Sequence, residues 1–319
     1  MGAARQGAIA PLVVRVLDVG QGDAILIENG GSRVLVDGGP EESVLARKLD
    51  ELGVRDTVLD VVILTHEHAD HSNGLKAVFE RERQLRVRYY FDNRDARPGH
   101  ALAQLRDSVL ARVRRGELVW RDTDDPCGDG RSMCTIALRG GARLRILRPE
   151  PSAQDAPGGG GAAAASAPAS DQNDRSVALK LVGPDSAGFT MWLAGDAERR
   201  ELAWFEAAGY TRDPGLRVDV LKADHHGSCN GASERYLALT QPKVVVVSVG
   251  AENTYGHMHE QTKALLRARG IPWYRTDADG DIVIRAPGTP GSHYSVTTAH
   301  GAPDANGPSD RWSKAAECR

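Results

Sequence analysis

Short apolar runs punctuated by glycine turns open the chain. Leu12–Asp18 (LVVRVLD), Ala24–Glu28 and Arg33–Asp37 are separated by Gly20-Gln21-Gly22-Asp23 and by Asn29-Gly30-Gly31. Such runs between turn-forming residues predict three strands in a meander. Glu41–Leu52 sets Val44, Leu45, Leu49 and Leu52 at helical spacing ahead of Gly53, which predicts a helix. Val58–Leu64 is a continuous apolar run and predicts a strand buried on both faces, so Thr65 begins a loop at a strand's C-terminal end. The same signals predict helices over Gly74–Arg83 and Ala101–Arg115 around a strand at Val87–Phe91, the arginine-rich face of the second helix being read as solvated. Strands follow at Ser176–Val182, Phe189–Leu193, Val218–Lys222 and Lys243–Val249, and helices at Ala197–Ala208, Ser233–Leu239 and Gln261–Arg269. Trp273–Arg275 and Asp281–Arg285 flank Asp279-Gly280 as a final hairpin. Strands and helices alternate in two successive halves, which predicts an α/β sandwich of two mixed sheets with helices on the outer faces.

One stretch breaks this pattern. Residues 150–171 are mostly Pro, Gly, Ala and Ser with almost nothing apolar of any size, and are expected to be a flexible insertion between the halves. As a protease-sensitive loop it is a candidate gate, through which a regulatory protease or partner protein would activate a latent enzyme. The expected organisation is one domain over residues 1–286 and a disordered tail over 287–319.

Among the 319 residues, 40 Lys and Arg stand against 43 Asp and Glu, so no global basic field draws in a polyanion. No apolar run approaches the roughly 18 residues of a membrane span, and residues 1–10 lack a secretory apolar region, so a cytoplasmic protein without membrane contact is expected. The four cysteines form no C-x-x-C pair, which predicts neither a disulfide framework nor a thiolate zinc cage and leaves metal binding to imidazole and carboxylate. Aromatics at 5% argue against extended stacking platforms for single strands.

His66-Glu67-His68-Ala69-Asp70-His71 places three of the chain's 10 histidines within six residues, directly after a buried strand. Imidazole and carboxylate are the ligand set of zinc or manganese, and a loop can aim alternate side chains at two ions. His66 and His68 can bind one ion and Asp70 and His71 another, with Glu67 turned to solvent. Two further loops supply more ligands: Gly195-Asp196, whose carboxylate can bridge two ions, and Asp224-His225-His226-Gly227-Ser228. Gly20-Gln21-Gly22-Asp23 lacks both a following helix and a P-loop lysine, so it reads as a turn rather than a nucleotide fingerprint.

In this order the residues resemble the metallo-β-lactamase fold hydrolases, whose hallmark is H-x-H-x-D-H followed by a downstream Asp and His. The resemblance implies a four-layer αββα sandwich. It also implies a first site of His66 and His68, a second of Asp70 and His71, Asp196 as the bridge, His226 as the final ligand, and His225 as a further contact. Asp37 in Val36-Asp37-Gly38-Gly39 matches the aspartate that holds the metal loop. The soluble hydrolase domain of the ComEC competence proteins is especially similar, through L-D-V-G-Q-G-D-A at 17–24, T-H-E-H-A-D-H-S-N-G at 65–74, L-A-G-D at 193–196 and H-H-G-S at 225–228. Those proteins carry a membrane channel and this sequence shows none, so a free-standing relative is expected.

The third histidine of most such hydrolases has no counterpart, since only His100 lies between 71 and 196 and it reads as a surface residue. Asn173 or Asp174 is expected to complete the first site through oxygen, a harder donor that favours manganese over zinc. The resemblance thus implies two divalent ions, Zn2+ or Mn2+, sharing a hydroxide that attacks phosphorus. Asp70 and Asp196 hold the ions, Asp196 orients the hydroxide, and His225, His257 and His259 contact phosphate or protonate the leaving group. The expected substrate is nucleic acid, most plainly DNA, with Arg94, Arg97, Arg175 and Arg275 gathered around the site; a small phosphodiester, ester or lactone is the alternative. Lys222 is a further candidate phosphate contact, and Cys229 is read as a bystander.

Overall fold

The computed structural model describes residues 10–300 apart from 55–56, 80–84, 94–99, 123–132, 148, 150–171, 185–187, 209–214, 252 and 289–292. The first half contributes β1 (Leu12–Val16), β2 (Ile25–Asn29), β3 (Ser32–Val36), α1 (Glu42–Glu51), β4 (Val58–Ile63), α2 (Ala69–Ser72), α3 (Lys76–Phe79), β5 (Arg86–Asp92), α4 (His100–Arg114) and β6 (Val119–Asp122). Then come β7 (Met133–Ala137), β8 (Arg143–Leu147), β9 (Ala178–Val182), β10 (Thr190–Leu193), α5 (Arg199–Ala207), β11 (Val220–Lys222), α6 (Glu234–Thr240), β12 (Val244–Val247), α7 (Glu260–Ala268), β13 (Trp273–Arg275), α8 (Thr276–Asp279), β14 (Ile282–Ala286) and β15 (Ser295–Thr298).

Two sheets result, in the orders β15-β14-β1-β2-β3-β4-β5-β6 and β13-β12-β11-β10-β9-β8-β7. Period-two alternation sorts their side chains. Val14, Val16, Ile25, Ile27, Val34, Val36, Val61 and Ile63 face Leu144, Ile146, Leu179, Leu181, Met191, Val220 and Val246 in the core between the sheets. The intervening residues face outward beneath helices. Leu26, Leu35 and Val62 meet Leu45 and Leu49 of α1 and Leu105 and Val109 of α4, while Trp192, Leu221 and Val245 meet Phe205 of α5, Tyr236 of α6 and Leu266 of α7. Helices therefore cover both outer faces in an αββα sandwich. Leu45 and Leu49 are one turn apart on α1, Ser233 caps α6 by accepting from Tyr236 N at 3.1 Å, and Gly270 ends α7 at φ 64°.

Four expectations change. Trp273–Arg275 and the strand after Gly280 do not form a hairpin: β13 pairs with β12 in one sheet and β14 with β1 in the other. Polar α8 turns the chain across, and the alternating apolar residues of β14 close the inner face beside β1. The tail expected from 287 contains β15, because Val296 and Tyr294 pack on the inter-sheet core while the strand pairs antiparallel with β14. The stretch 150–171 lies outside the described residues, but the strands on either side of it, β8 and β9, are antiparallel neighbours in one sheet, so it joins two strands of the second half rather than the two halves. Cys134 and Cys229 are both disulfide-bonded, against the expectation of free thiols. Disulfides persist in oxidising compartments, so the cytoplasmic expectation is not carried forward. Among the described residues no helix is long and apolar enough to cross a membrane.

What matters for the site is strand direction. β3 to β6 are parallel, as are β10 to β13. The loops after β4, β10, β11 and β12 leave C-terminal strand ends, where open α/β sheets gather ligands. Close backbone contacts lock the first of these loops. Gly74 N donates to Gly39 O at 2.9 Å, and a Cβ on Gly74 would fall 1.9 Å from Gly38 O. Gly22, at φ 139°, packs so closely on Asp70 that a Cβ would fall 2.1 Å from its carbonyl oxygen. Gly74→Ala is expected to lower unfolding free energy by about 1–3 kcal/mol, the range for forced overpacking, as read from urea denaturation.

Candidate metal centre

The loop after β4 delivers His66, His68, Asp70 and His71; the loop after β10 delivers Asp196; the loop after β11 delivers His226. Ligand atoms of Asp70, His71, Asp196 and His226 lie within 4.8 Å of one another, and so do those of His66, His68 and Asp196. Asp196 belongs to both groups. Its Oδ1 is 3.2 Å from His71 Nε2, and its Oδ2 is 3.2 Å from His226 Nε2 and 3.8 Å from His66 Nε2. His226 Nε2 also lies 3.2 Å from Asp70 Oδ2.

Hydrogen bonds on the far side of each ring decide which nitrogen faces inward. His71 Nδ1 donates to Asp37 Oδ2 at 2.8 Å, and His226 Nδ1 donates to Ser248 O at 3.0 Å. His66 Nδ1 lies 3.2 Å from Thr65 Oγ1, whose own proton goes to Asp37 Oδ2 at 2.7 Å. In the neutral tautomers these bonds select, every Nε2 presents a lone pair. The His71 and His226 lone pairs would then confront each other across 3.3 Å, with carboxylate oxygens on both sides. Only a cation, either protons or a metal, reconciles that arrangement, so the donor set fits divalent metal bound by nitrogen and oxygen.

The titration behaviour agrees. Burial opposes charge on His71 and His226, yet the carboxylates around them, Asp196 foremost, raise both imidazoles well above their usual range. Burial likewise opposes charge on Asp196, but His226 and His71 hold it well below the carboxylate range. His66 is pushed far down by burial and by His71, and stays neutral. Metal binding must therefore displace the protons of His71 and His226 but none from His66, and affinity must rise with pH. Calorimetric titration with Zn2+ at neutral pH, in buffers of different ionisation enthalpy, is expected to show release of about two protons per protein.

The lower shell is carried by Asp37, which also accepts from Thr65 N at 2.7 Å. Asp23 stands behind His226 Nδ1 at 3.4 Å and pairs with Lys222 Nζ at 2.8 Å. Lys222 is fully buried, so it is neither a phosphate contact nor solvated: strand alternation points it inward, where Asp23 and the carbonyl of Ala223 satisfy it. Asp37→Asn, which replaces an acceptor by an amide on the shared oxygen, is expected to weaken metal binding about 10–100-fold, as measured by competition with a chromogenic chelator.

Around these ligand groups lies a cleft of about 1040 Å³, lined among others by Gln21, Asn173, Glu198, His225, Tyr255 and His257. Of the two oxygen candidates for the first site, Asn173 is in the cleft, its Nδ2 donating to Glu198 Oε1 at 3.0 Å. Asp174 is not: its carboxylate accepts from Glu201 N at 3.2 Å and caps α5. His225 adopts left-handed backbone angles, as does His226, and its Nδ1 is 2.8 Å from Glu198 Oε1 while Nε2 lies 3.9 Å from Asp196. Glu198 escaped the sequence reading; its only signal is its position two residues after Asp196.

His257 and His259, the other residues expected to meet phosphate or the leaving group, both line the cleft. Burial and the neighbouring His226, His225 and His259 push His257 down to about 3, so near neutrality it carries no proton to give as an imidazolium. His259 spends both ring nitrogens on backbone, Nδ1 accepting from Cys229 N at 3.1 Å and Nε2 donating to Tyr255 O at 3.3 Å. Cys229 is accordingly no bystander. Glu67 is buried and accepts from Gln172 rather than meeting solvent, because the short α2 turns the loop inward behind the ligands. His100 opens α4 rather than a loop. Arg175 and Arg275 are buried, the latter paired with Asp277, so neither forms a phosphate-facing surface; Arg94 and Arg97 lie outside the described residues.

Comparison with known proteins agrees with this geometry. Residues 17–125 match the Metallo-beta-lactamase superfamily, and the αββα sandwich is the metallo-β-lactamase fold. The chain is 27% identical over 292 residues to ComE operon protein 3 of Bacillus subtilis (strain 168), covering 85% of this chain and 33% of that protein. It is 24% identical over 272 residues to competence protein ComA of Neisseria gonorrhoeae, covering 84% of this chain and 31% of that one. The chain thus spans about a third of the length of the curated relatives it matches. Among solved structures, the metallo-beta-lactamase fold protein YhfI from Bacillus subtilis aligns over 87% of this chain and 100% of its own, at 12% identity and a TM-score of 0.48.

Proposed function

For a chain that carries a metallo-β-lactamase superfamily domain, we propose a metal-dependent phosphodiesterase whose substrate is DNA. The observation that carries the proposal is the pair of ligand groups joined through Asp196 at the floor of an open, polar cleft. Two divalent ions bound there would lower the pKa of a shared water and neutralise charge developing on phosphoryl oxygens. The protein's own residues do the rest. Asp196 and Asp70 would provide the anionic charge to hold such ions, and Asp37 and Ser248 fix the imidazoles in place. Glu198, 2.8 Å from His225 Nδ1, would position that ring at the cleft wall. Gln21 lines the same cleft, its Oε1 accepting from Gly250 N at 3.1 Å. The resemblance to the hydrolase domain of the ComEC competence proteins is what favours DNA over other phosphodiesters in this reading.

The test is hydrolysis of labelled single- and double-stranded DNA with added Mn2+ or Zn2+, with EDTA and Asp196→Ala as controls. Cleavage is expected only with metal, and the variant is expected to lose at least about 100-fold in kcat, as when one electrostatic stabiliser is removed. Intact DNA alongside cleavage of bis(p-nitrophenyl) phosphate would overturn the DNA assignment and leave a small phosphodiester as substrate. Failure on both substrates would overturn the phosphodiesterase reading itself.

A further inference from the structure

We propose that Tyr255 is the stacking platform of a nucleobase subsite beside the metal centre, so that the protein recognises nucleotides and not merely phosphodiesters. The inference deepens the phosphodiesterase reading and rests on it for the identity of the neighbouring group.

Three large apolar side chains are exposed among the described residues: Tyr89, Val119 and Tyr255. Tyr89 and Val119 face each other across paired strands at the edge of the first sheet. Tyr255 alone lines the cleft, and at 64% it is the most exposed of the three. One face of its ring is taken, stacked on His257 at 5.6 Å and 24°. His257 is in turn stacked on His226 at 5.9 Å and 29°. The rings thus step outward from His226 to Tyr255 along the one cleft that holds the candidate ligands, so a base stacked on Tyr255 would belong to the same substrate as a phosphate at those ligands. The other face of Tyr255 is open.

The loop that carries the ring is also tied down. Asn253 Nδ2 donates to Gly250 O at 3.0 Å and to His257 O at 2.6 Å, and Asn253 Oδ1 accepts from His257 N at 2.9 Å. His259 holds the carbonyl of Tyr255 itself, and Gln21 ties the base of the loop to the turn after β1. A tyrosine with few free torsions in a fixed loop binds at low ordering cost, and a planar base offers the matching offset stack. Every base has such a face, so the subsite tolerates sequence. Thr254 and Asn230, on the same cleft wall, surround the platform with polar groups suited to base edges and sugar. The low aromatic content is no obstacle, because one subsite needs one ring.

The test compares binding of thymidine 5′-monophosphate and deoxyribose 5-phosphate to the manganese-loaded full chain by isothermal titration calorimetry. The wild type is expected to prefer the nucleotide by about 5–150-fold, the span of base–aromatic stacking. Tyr255→Phe should keep the preference; Tyr255→Ala and Tyr255→Leu should bring the ratio close to one, the leucine variant keeping apolar bulk while losing the π-face. Equal affinities in the wild type, or a preference that survives Tyr255→Ala, would overturn the subsite. DNA cleavage scored in parallel separates the two proposals, since a nucleotide preference without cleavage overturns the nuclease reading alone, and cleavage without preference overturns the subsite alone.

Discussion

A single buried carboxylate, Asp37, governs both halves of the metal centre. It accepts from the backbone and the hydroxyl of Thr65, and from the ring of His71. Through the Thr65 hydroxyl it also sets the tautomer of His66. One group thereby aims a nitrogen lone pair at each metal position and anchors the loop that carries them. Asp37 itself sits at φ 57°, just after β3, with its N–H donating to Ile63 O at 2.8 Å. That conformation costs about 1–3 kcal/mol for a residue with a Cβ, and the carboxylate's hydrogen bonds offset it.

The rest of the centre follows the same logic of concentrated, compensated strain. His225 and His226 are consecutive residues in the left-handed region, where only special contacts keep a non-glycine residue. The contacts are visible: His225 N donates to Gly195 O at 3.1 Å, and His226 is gripped by Ser248 O and Asp23. Behind Asp23 lies Lys222, whose burial would be prohibitive without its carboxylate. His71 and His226 face each other at 3.3 Å between their Nε2 atoms, the surrounding carboxylates favour the charged form of both rings, and metal binding competes with those protons.

Much of this was legible in the residues. Strand and helix periodicity gave β1 to β5, β9 to β12 and the major helices, because these elements bury regular apolar stripes. The strands β6 to β8 carry weaker alternation and appeared only in the structure, as did β15, whose polar residues pair with β14 at a sheet edge. The imidazole-rich loop stood out because nothing structural requires that density of ligands. The surroundings of Asp174, His259 and Lys222 were not legible for a shared reason: sequence shows that a polar side chain is near a site but not which way it turns, nor which backbone groups already occupy it.

The sequence by itself determined the local elements, the inventory of nitrogen and oxygen donors, and their order along the chain, since periodicity and ligand chemistry are properties of neighbouring residues. The tertiary structure alone decided that Glu198 lies against His225, that Asp174 serves a helix rather than a metal, and that Tyr255 stands at the mouth of the cleft. Those relations depend on strands distant in sequence being parallel and adjacent, and on hydrogen bonds that fix each ring. Neither is written in any window of the chain short enough to read by pattern.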